Sequence, residues 1–274
     1  MTLALAWLAR RADGREDLYF AADSRTRGIR VMDLSPKILL LPRSDCAICF
    51  SGDTSATYPL MLQLSIAIAA HEPARDRNLD IVELKSHLLR ICTDMMGRVT
   101  DAALPFEPSD AQFLFGGYSW RSKGFRLWTI YYEAKSKAFR VREAVSFHKR
   151  LEKAAFIGDW ATRYRGRLMS ELVADPDGRA VQLRPLGILA EMIRKAGRED
   201  SIGGAPQLLR VGPHMNVRPF CVAWGPQKTH HLFGRPLFEY ENCDFWTVDP
   251  DSGEICAPRH FRVDKEPKAE SSLG

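Results

Sequence analysis

The 274-residue sequence lacks several patterns that would fix a class of function at once. No apolar run approaches the length of a membrane-spanning helix, so we expect no membrane partner. With 39 basic and 34 acidic residues the net charge is only modestly positive. No dense Lys/Arg run with interleaved aromatic residues occurs, so we expect no nucleic-acid partner. A Walker-type loop, a His-Glu-x-x-His motif and a Rossmann glycine pattern are all missing, and we expect no cofactor.

Cysteine is scattered rather than clustered. Cys46 and Cys49 have the C-x-x-C spacing, but they lie in an apolar run that indicates a strand. Residues three apart on a strand point to opposite faces, which is a poor geometry for binding one metal ion. No second C-x-x-C completes a zinc site. The sequence therefore predicts buried, reduced cysteines and no metal.

The amino-terminal apolar stretch from Leu3 to Ala9 does not have the pattern of a secretory signal. Such a signal carries its positive charge before the apolar residues, whereas here Arg10 and Arg11 follow them. We interpret the stretch as a buried first strand, and we expect a cytoplasmic location by default.

The length suits one large domain or two small ones, and strand-like and helix-like blocks alternate along it. An Asp-Gly step between the first two strands favours a hairpin. Asp53 and Asp80 are candidate caps of two helices, the first of which we expect to be buried on most sides. Strands are predicted at 2–9, 17–22, 37–41, 46–51, 112–118, 125–132, 138–144, 154–158, 207–211 and 218–224, and helices follow 53, 80, 160 and 186. These patterns alone predict only a mixed α and β protein.

The order of short motifs carries more information than the composition. Thr2 opens the first strand, the second strand ends in Ala-Asp-Ser-Arg at 22–25, Lys37-Ile38 follows, and the next strand ends in Phe-Ser-Gly at 50–52. This order resembles the start of a bacterial proteasome-like subunit of the N-terminal nucleophile (Ntn) hydrolases. The resemblance implies an α+β fold, a four-layer αββα sandwich over residues 1–224. Residues 225–274 would form a C-terminal extension with strand-like pieces and a flexible polar tail from residue 263.

Thr2 is the candidate nucleophile. Removal of Met1 would leave a hydroxyl and a free α-amine on one residue, which together form a nucleophile and its base. An α-amine has an ordinary pKa of about 7.7–8.0, which suits a base near neutral pH. The alternative is that Thr2 is simply a small residue after the initiator methionine.

The resemblance implies three partners for this threonine. Lys37 would lie beside the nucleophile, Asp23 would pair with Lys37, and the backbone N–H of Gly52 would donate to the developing oxyanion. Each residue also has a structural alternative. Lys37 is then a strand-end lysine reaching solvent, Asp23 a turn or cap residue, and Gly52 a turn glycine.

The sequence departs from the family pattern at two places. Asp159 stands where a Gly-Ser-Gly step is usual, and a carboxylate there would raise the pKa of the amine. Asp-x-x-Ser-Gly-Gly is also altered, because Asp200 and Ser201 are displaced by one residue and Ile202 stands at the serine's place. Asp200 and Ser201 would then serve through a shifted loop.

Three functions remain open on this reading. The first is an N-terminal threonine hydrolase that cleaves amide bonds of peptides or proteins within a homo-oligomer, with any unfoldase partner unknown. The second is a catalytically silent relative that serves as an assembly or binding module. The third is an amidase acting on small, non-peptide amides. Fold alone does not separate them.

Overall fold

The structure is a computed structural model that describes residues 2–11, 13–27, 30–99, 111–148, 151–174, 182–241 and 243–258. The polar tail predicted from residue 263 lies outside these residues. Within the described part of the chain, no helix is both long and apolar enough to cross a membrane.

Strands dominate the described chain and form three sheets. The ten-stranded sheet has the order β10-β11-β1-β2-β12-β13-β14-β15, with β16 paired to β13 and β17 to β16. The five-stranded sheet has the order β5-β6-β7-β8-β9, and β3 and β4 form a ribbon. The strands are β1 (Ala4–Arg10), β2 (Glu16–Ala22), β3 (Thr26–Arg27), β4 (Val31–Met32), β5 (Ile38–Leu39), β6 (Cys46–Ser51), β7 (Gln112–Ser119), β8 (Gly124–Glu133), β9 (Ala138–Glu143), β10 (Ser146–His148), β11 (Leu151–Ile157), β12 (Gln207–Gly212), β13 (Asn216–Trp224), β14 (Thr229–Leu232), β15 (Arg235–Pro236), β16 (Trp246–Val248) and β17 (Ile255–Cys256).

Five helices lie between these strands in the described residues: α1 (Thr54–Ala70), α2 (Glu72–Arg75), α3 (Ile81–Gly97), α4 (Ala161–Ala174) and α5 (Arg184–Lys195). The predicted caps are confirmed. The Asp53 side chain accepts from the Ser55 N–H at 2.9 Å, and Asp80 forms a capping box with Glu83 at the start of α3. These bonds satisfy N–H groups that a helix start leaves without partners.

Three hydrophobic clusters hold the elements together. One combines alternate residues of β1 and β2 with α4 and α5, a second combines β6–β9 with α1 and α3, and a third joins residues of the two larger sheets. Leu5 and Trp7 face the first cluster, whereas Ala6 and Leu8 face the third. The near-continuous apolar strand β1 is therefore covered on both faces.

The predicted fold class is wrong. We expected a four-layer αββα sandwich, but the described chain is dominated by three mostly antiparallel sheets with only five helices. Strands after residue 224 contribute to this difference. β14 and β16 both pair with β13, so the segment treated as an extension adds strands to the largest sheet. The domain boundary at 224 stays a prediction.

Two local expectations can be compared with the burial of side chains. Helix α1 is not buried on most sides, since Leu62 is 58% and Ile66 57% exposed. The expectation for the C-x-x-C pair is confirmed. Cys46 packs in the cluster with α1 and α3, while Cys49 packs between the sheets, so the two thiols lie on opposite faces of β6.

Candidate functional site

The site begins at the open end of the β1–β2 hairpin. Ala4 pairs with Ala22 in the antiparallel register, so the residues just outside the pair, Thr2 and Asp23, end on the same side of the sheet. The Asp23 N–H donates to the Leu3 carbonyl at 3.2 Å and continues the ladder. Thr2 and Asp23 are 21 residues apart in sequence. The hairpin that the apolar pattern predicts brings them together.

The Asp23 carboxylate is the centre of this arrangement. Its Oδ1 accepts from the Thr2 hydroxyl at 2.6 Å, the Leu3 N–H at 3.0 Å and the Lys37 ammonium at 2.7 Å. Its Oδ2 accepts from the N–H groups of Arg25 at 3.0 Å and Gly203 at 3.1 Å. The carboxylate has no exposed surface, and these donors compensate the cost of burying its charge.

Lys37 reaches Asp23 from the segment before β5, and only 1% of the residue is exposed. Burial lowers the pKa of the Lys37 ammonium, because removing water disfavours the charged form. The charge and hydrogen bond of Asp23 act in the opposite direction, as do the charges of Asp159 and Asp33. The lysine therefore does not reach solvent, and the alternative of a snorkelling strand-end lysine does not hold.

Gln207, the first residue of β12, connects the segments that carry Asp23 and Lys37. Its Nε2 donates to the carbonyls of Asp23 at 3.2 Å and Ser35 at 2.8 Å. Its Oε1 accepts from the N–H groups of Lys37 at 3.0 Å and Ile38 at 3.4 Å. The buried side-chain amide thus uses its full capacity of two donors and two acceptor positions. It holds the backbone of both charged residues in place.

The glycine pair before β12 lets the loop after Asp23 pack closely. A Cβ on Gly203 would lie 2.3 Å from the Arg25 guanidinium carbon, and one on Gly204 would lie 2.2 Å from the Ser24 Oγ. Arg25 in turn forms an ion pair with Asp33 at 2.7 Å. Only glycine permits these approaches, so the pair supports the geometry of the Asp23 loop.

Gly158 sets the position of Thr2 itself. It follows β11, which pairs with β1, and has φ = 99°. A Cβ at this residue would lie 1.9 Å from the Thr2 carbonyl oxygen. The next residue, Asp159, is exposed and near enough for its charge to act on the pKa of Lys37.

Gly52, Asp200 and Ser201 are the remaining predicted residues. Gly52 has φ = 110°, a conformation that favours glycine, at the turn between β6 and α1. Asp200 accepts from the Gly197 N–H at 2.6 Å, and its carbonyl accepts from Arg25 at 3.2 Å. Ser201 is half-buried. In the described part of the chain, no hydrogen bond joins the Asp200 or Ser201 side chain to Thr2. Ile202 is fully buried in the cluster that contains α4 and α5.

Sequence reasoning missed Gln207 and did not see why Gly158 is needed. A glutamine at the start of an apolar strand is a weak signal, because only the folded chain shows which carbonyls and N–H groups it meets. Gly158 gave a local signal, since an isolated glycine at a strand end marks a turn or a close backbone approach. The partner of that approach, Thr2, lies at the start of the chain, far from Gly158 in sequence.

The arrangement has a defined chemical capacity. A hydroxyl, a carboxylate and an ammonium meet within hydrogen-bond distance, and all three residues are buried. A nearby ammonium lowers the pKa of a second amine and stabilises developing negative charge. Within the described residues, no cluster of three or more metal-ligating side chains is present.

The solved structures that are similar to this chain include two Anbu proteins. Anbu (ancestral beta-subunit) from Yersinia bercovieri shares 17% sequence identity with a TM-score of 0.56, over 80% of this chain and 86% of that chain. An Anbu mutant from Hyphomicrobium sp. strain MC1 shares 19% identity with a TM-score of 0.54, over 79% and 84%. No protein-family model and no curated protein matches the sequence.

These neighbours correct the predicted family. The sequence resemblance pointed to the proteasome-type Ntn hydrolases, whereas these two structures are Anbu proteins, which are proteasome-like but a different family. The prediction was wrong because a few short motifs do not separate related folds. At these identities the likeness shows the fold alone, which is of this Anbu, proteasome-like kind.

Proposed function

We propose that this protein is an N-terminal threonine hydrolase that cleaves amide bonds, with peptides as its substrate class. The observation that carries the proposal is the contact of the Thr2 hydroxyl with Asp23 Oδ1 at 2.6 Å, where the same oxygen binds the Lys37 ammonium at 2.7 Å. A threonine that merely follows the initiator does not need a buried charged pair beside its hydroxyl.

The proposed reaction uses the residue created when Met1 is removed. The Thr2 Oγ attacks the carbonyl carbon of the substrate, and the Thr2 α-amine takes the hydroxyl proton, directly or through water. The amine then gives that proton to the leaving amine, and water releases the acyl group from Oγ. Lys37 stabilises the developing negative charge, and Asp23 holds both Lys37 and the nucleophile in place. Gly52 N–H is the proposed donor to the oxyanion.

The balance of charge around the amine decides whether it can act as a base. Lys37 lowers the pKa of a neighbouring amine, whereas Asp159 raises it. Asp159 is exposed, so solvent weakens its effect, while Lys37 is buried and acts at short range. In this proposal Lys37 outweighs Asp159, while the charge of the Asp23 carboxylate is taken up by its hydrogen bonds to Lys37, Leu3 and Gly203.

We also propose that the protein forms a homo-oligomer through α1. Leu62 and Ile66 lie one turn apart on this helix and are 58% and 57% exposed. Residues at this spacing share one face, so the helix presents a continuous apolar strip. Such a strip is typical of a surface that contacts another protein.

A catalytically silent assembly or binding module is the second candidate, and two observations favour it. Ile202 is buried at the place where the resemblance expects a serine, and the Asp200 carboxylate accepts from Gly197 rather than facing Thr2. These residues supply no group that would orient the amine. The charged pair would then serve only to hold the Asp23 loop.

Labelling of the N-terminus tests the two candidates. A threonine-reactive covalent inhibitor should modify the N-terminal peptide of the wild-type protein, as shown by mass mapping, and should block hydrolysis of a mixed peptide library. Thr2→Ala should lose hydrolysis by about 10³-fold or more, because only the nucleophile is removed. Thr2→Ser should keep part of it. Thr57→Ala is the matched control, since Thr57 is also fully buried but lies in α1.

A second experiment tests the role of the Thr2 α-amine. An uncleaved tag before Thr2 converts the base into an amide, so it should abolish hydrolysis without changing the circular dichroism spectrum. Equal hydrolysis by tagged and untagged protein would overturn the threonine mechanism. If intact-mass analysis finds Met1 retained and no variant changes any activity, the silent module is favoured instead.

A further inference from the structure

A pair of thiols lies away from the threonine site, beside a cavity at the C-terminal end of the largest sheet. Cys221 is in β13 and is completely buried, whereas Cys243 precedes β16 and is half-buried. Their sulfur atoms are 2.6 Å apart. Neither residue enters the chemistry proposed for Thr2, Asp23 and Lys37.

The cavity gives one of these thiols access to solutes. It has a volume of about 870 Å³ and is lined by apolar side chains such as Leu237 and Phe238, by Cys243 and Cys256, and by charged side chains that include Lys228 and several carboxylates. This volume is in the range that holds small organic ligands. Cys243 therefore faces the cavity on one side and Cys221 on the other.

The other buried cysteines are poor candidates for the same chemistry. Cys46, Cys49 and Cys92 lie within hydrophobic clusters and do not line this cavity. A disulfide that enters the cavity therefore does not meet their thiols. Cys256 lines the cavity, but its sulfur contacts the Glu254 carboxylate at 3.8 Å and not a second thiol.

We propose that Cys221 and Cys243 form a thiol–disulfide exchange site that reacts with low-molecular-weight disulfides such as oxidised glutathione. The Cys243 thiolate attacks one sulfur of the small disulfide, forming a mixed disulfide and releasing one glutathione thiolate. The Cys221 thiolate then attacks Cys243 Sγ and releases the second glutathione. One small disulfide is reduced to two thiols, the two protein thiols are oxidised to one disulfide, and their protons end on the released glutathiones.

The second step is the slow one. Burial raises the pKa of Cys221, and the neighbouring Cys243 raises it further. A smaller thiolate fraction slows the attack, so the mixed disulfide should resolve faster at alkaline than at neutral pH. This pH dependence distinguishes the ordered pair from random oxidation.

The new bond would act on the segment between the two cysteines. This segment contains β14, β15 and their turn, where Gly234 packs so closely on Ser24 that a Cβ would lie 2.4 Å from the Ser24 Cβ. Closing the loop restricts the unfolded chain, which stabilises the folded one. Oxidation should therefore raise the melting temperature by roughly 5–10 °C.

The test uses the full-length protein and oxidised glutathione under native conditions. After incubation, free thiols are alkylated, the protein is digested, and peptides are mapped by mass. We expect a Cys221–Cys243 disulfide peptide and alkylated Cys46, Cys49 and Cys92. Cys221→Ser should hold a lasting glutathione adduct on Cys243, and Cys243→Ser should give neither adduct nor disulfide.

Cys256→Ser is the matched control, because this residue lines the same cavity and should not affect the result. Cys221→Ser changes a fully buried residue. If this variant does not fold, Cys243→Ser decides the outcome, because Cys243 is only half-buried. Full alkylation of Cys221 and Cys243 in the treated wild type would overturn the proposal. So would a lasting adduct on wild-type Cys243, or a bond between Cys243 and Cys256.

Discussion

Lys37 shows how one residue serves both stability and proposed chemistry. Its ammonium is buried, and burial lowers its pKa, but the Asp23 carboxylate at 2.7 Å opposes this effect. A buried charge without its partner costs far more than the pair, so neither residue can be replaced alone without loss.

Replacing Lys37 by Met should lower both stability and activity, and the size of each loss measures the corresponding role. We expect stability to fall by about 3–5 kcal/mol in urea unfolding, because Asp23 stays buried without its counter-charge. The kcat/KM for amide hydrolysis should fall by about 10²–10³-fold. Lys37→Arg should rescue poorly, since a planar guanidinium does not replace a compact ammonium. Lys153→Met is the control, because the Lys153 ammonium donates to the Phe125 carbonyl at 3.2 Å and is not among the donors to Asp23. Near-normal turnover of Lys37→Met would show that the site is misplaced.

Tyr19 makes the protein sensitive to alkaline pH. It is fully buried on β2, stacks on Trp7, and burial raises the pKa of its hydroxyl to about 12. The unfolded chain ionises first, near pH 10, so the stability from this group is present below pH 10 and is lost as pH rises through about 12.

Tyr19→Phe should therefore flatten the alkaline part of the stability curve. The measurement is urea unfolding of both proteins between pH 8 and 12. At pH 8 the variant should be less stable, because it loses the hydrogen bond with Gln182. Curves of equal steepness for the two proteins would contradict the assignment.

At the scale of elements, β11 and β1 together fix the position of Thr2, the proposed nucleophile. Their antiparallel pairing ends at Ala4 and Ile157, and Gly158 then lies against the Thr2 carbonyl. Gly158→Ala should destabilise the protein by about 1–3 kcal/mol from its positive φ alone, and by more because Thr2 must move. Gly166→Ala is a matched control, since Gly166 is exposed in α4 with open space around it, and it should stabilise by about 0.5–1 kcal/mol. Thermal unfolding of both variants tests this, and equal shifts would refute the close approach.

The hairpin and the helix caps could be predicted because their signals are local. Asp13-Gly14 between two apolar runs and Asp80 three residues before Glu83 each carry their reason within a few residues. Gln207 could not be predicted, because its partners Asp23, Ser35 and Lys37 lie more than 160 residues away. Asp200 was assigned to the site by spacing, but the backbone of the loop directs its carboxylate to Gly197.

For the whole molecule, the sheets exceed what the resemblance implied. The apolar and polar alternation after residue 224 is short and irregular, and it indicated only strand-like pieces. In the structure these pieces find partners because β13 continues past its pairing with β12 and there pairs with β14 and β16, one on each edge. The strands are stabilised by that pairing and not by their own sequence.

Association through α1 can be tested at this scale. Replacing Leu62 and Ile66 by Lys should convert the proposed homo-oligomer into a monomer, because four or more ammonium groups would meet at each contact between copies. Native mass spectrometry at micromolar concentration measures the state. Val145→Lys is the control, since Val145 is 77% exposed but lies between β9 and β10. A wild-type protein that is already monomeric would refute the proposal.

The hydrogen bonds of Asp23 also determine when during translation the arrangement around it can be completed. Its partners Thr2, Leu3, Arg25 and Lys37 leave the ribosome early, but the Gly203 N–H that binds Oδ2 and the Gln207 amide that binds its carbonyl come some 180 residues later. A nascent chain that ends before Gly203 therefore carries the threonine, the carboxylate and the ammonium without the strand that aligns them. The arrangement is completed only when about three quarters of the polypeptide has been translated, so the proposed nucleophile stays unaligned while most of the chain is being made.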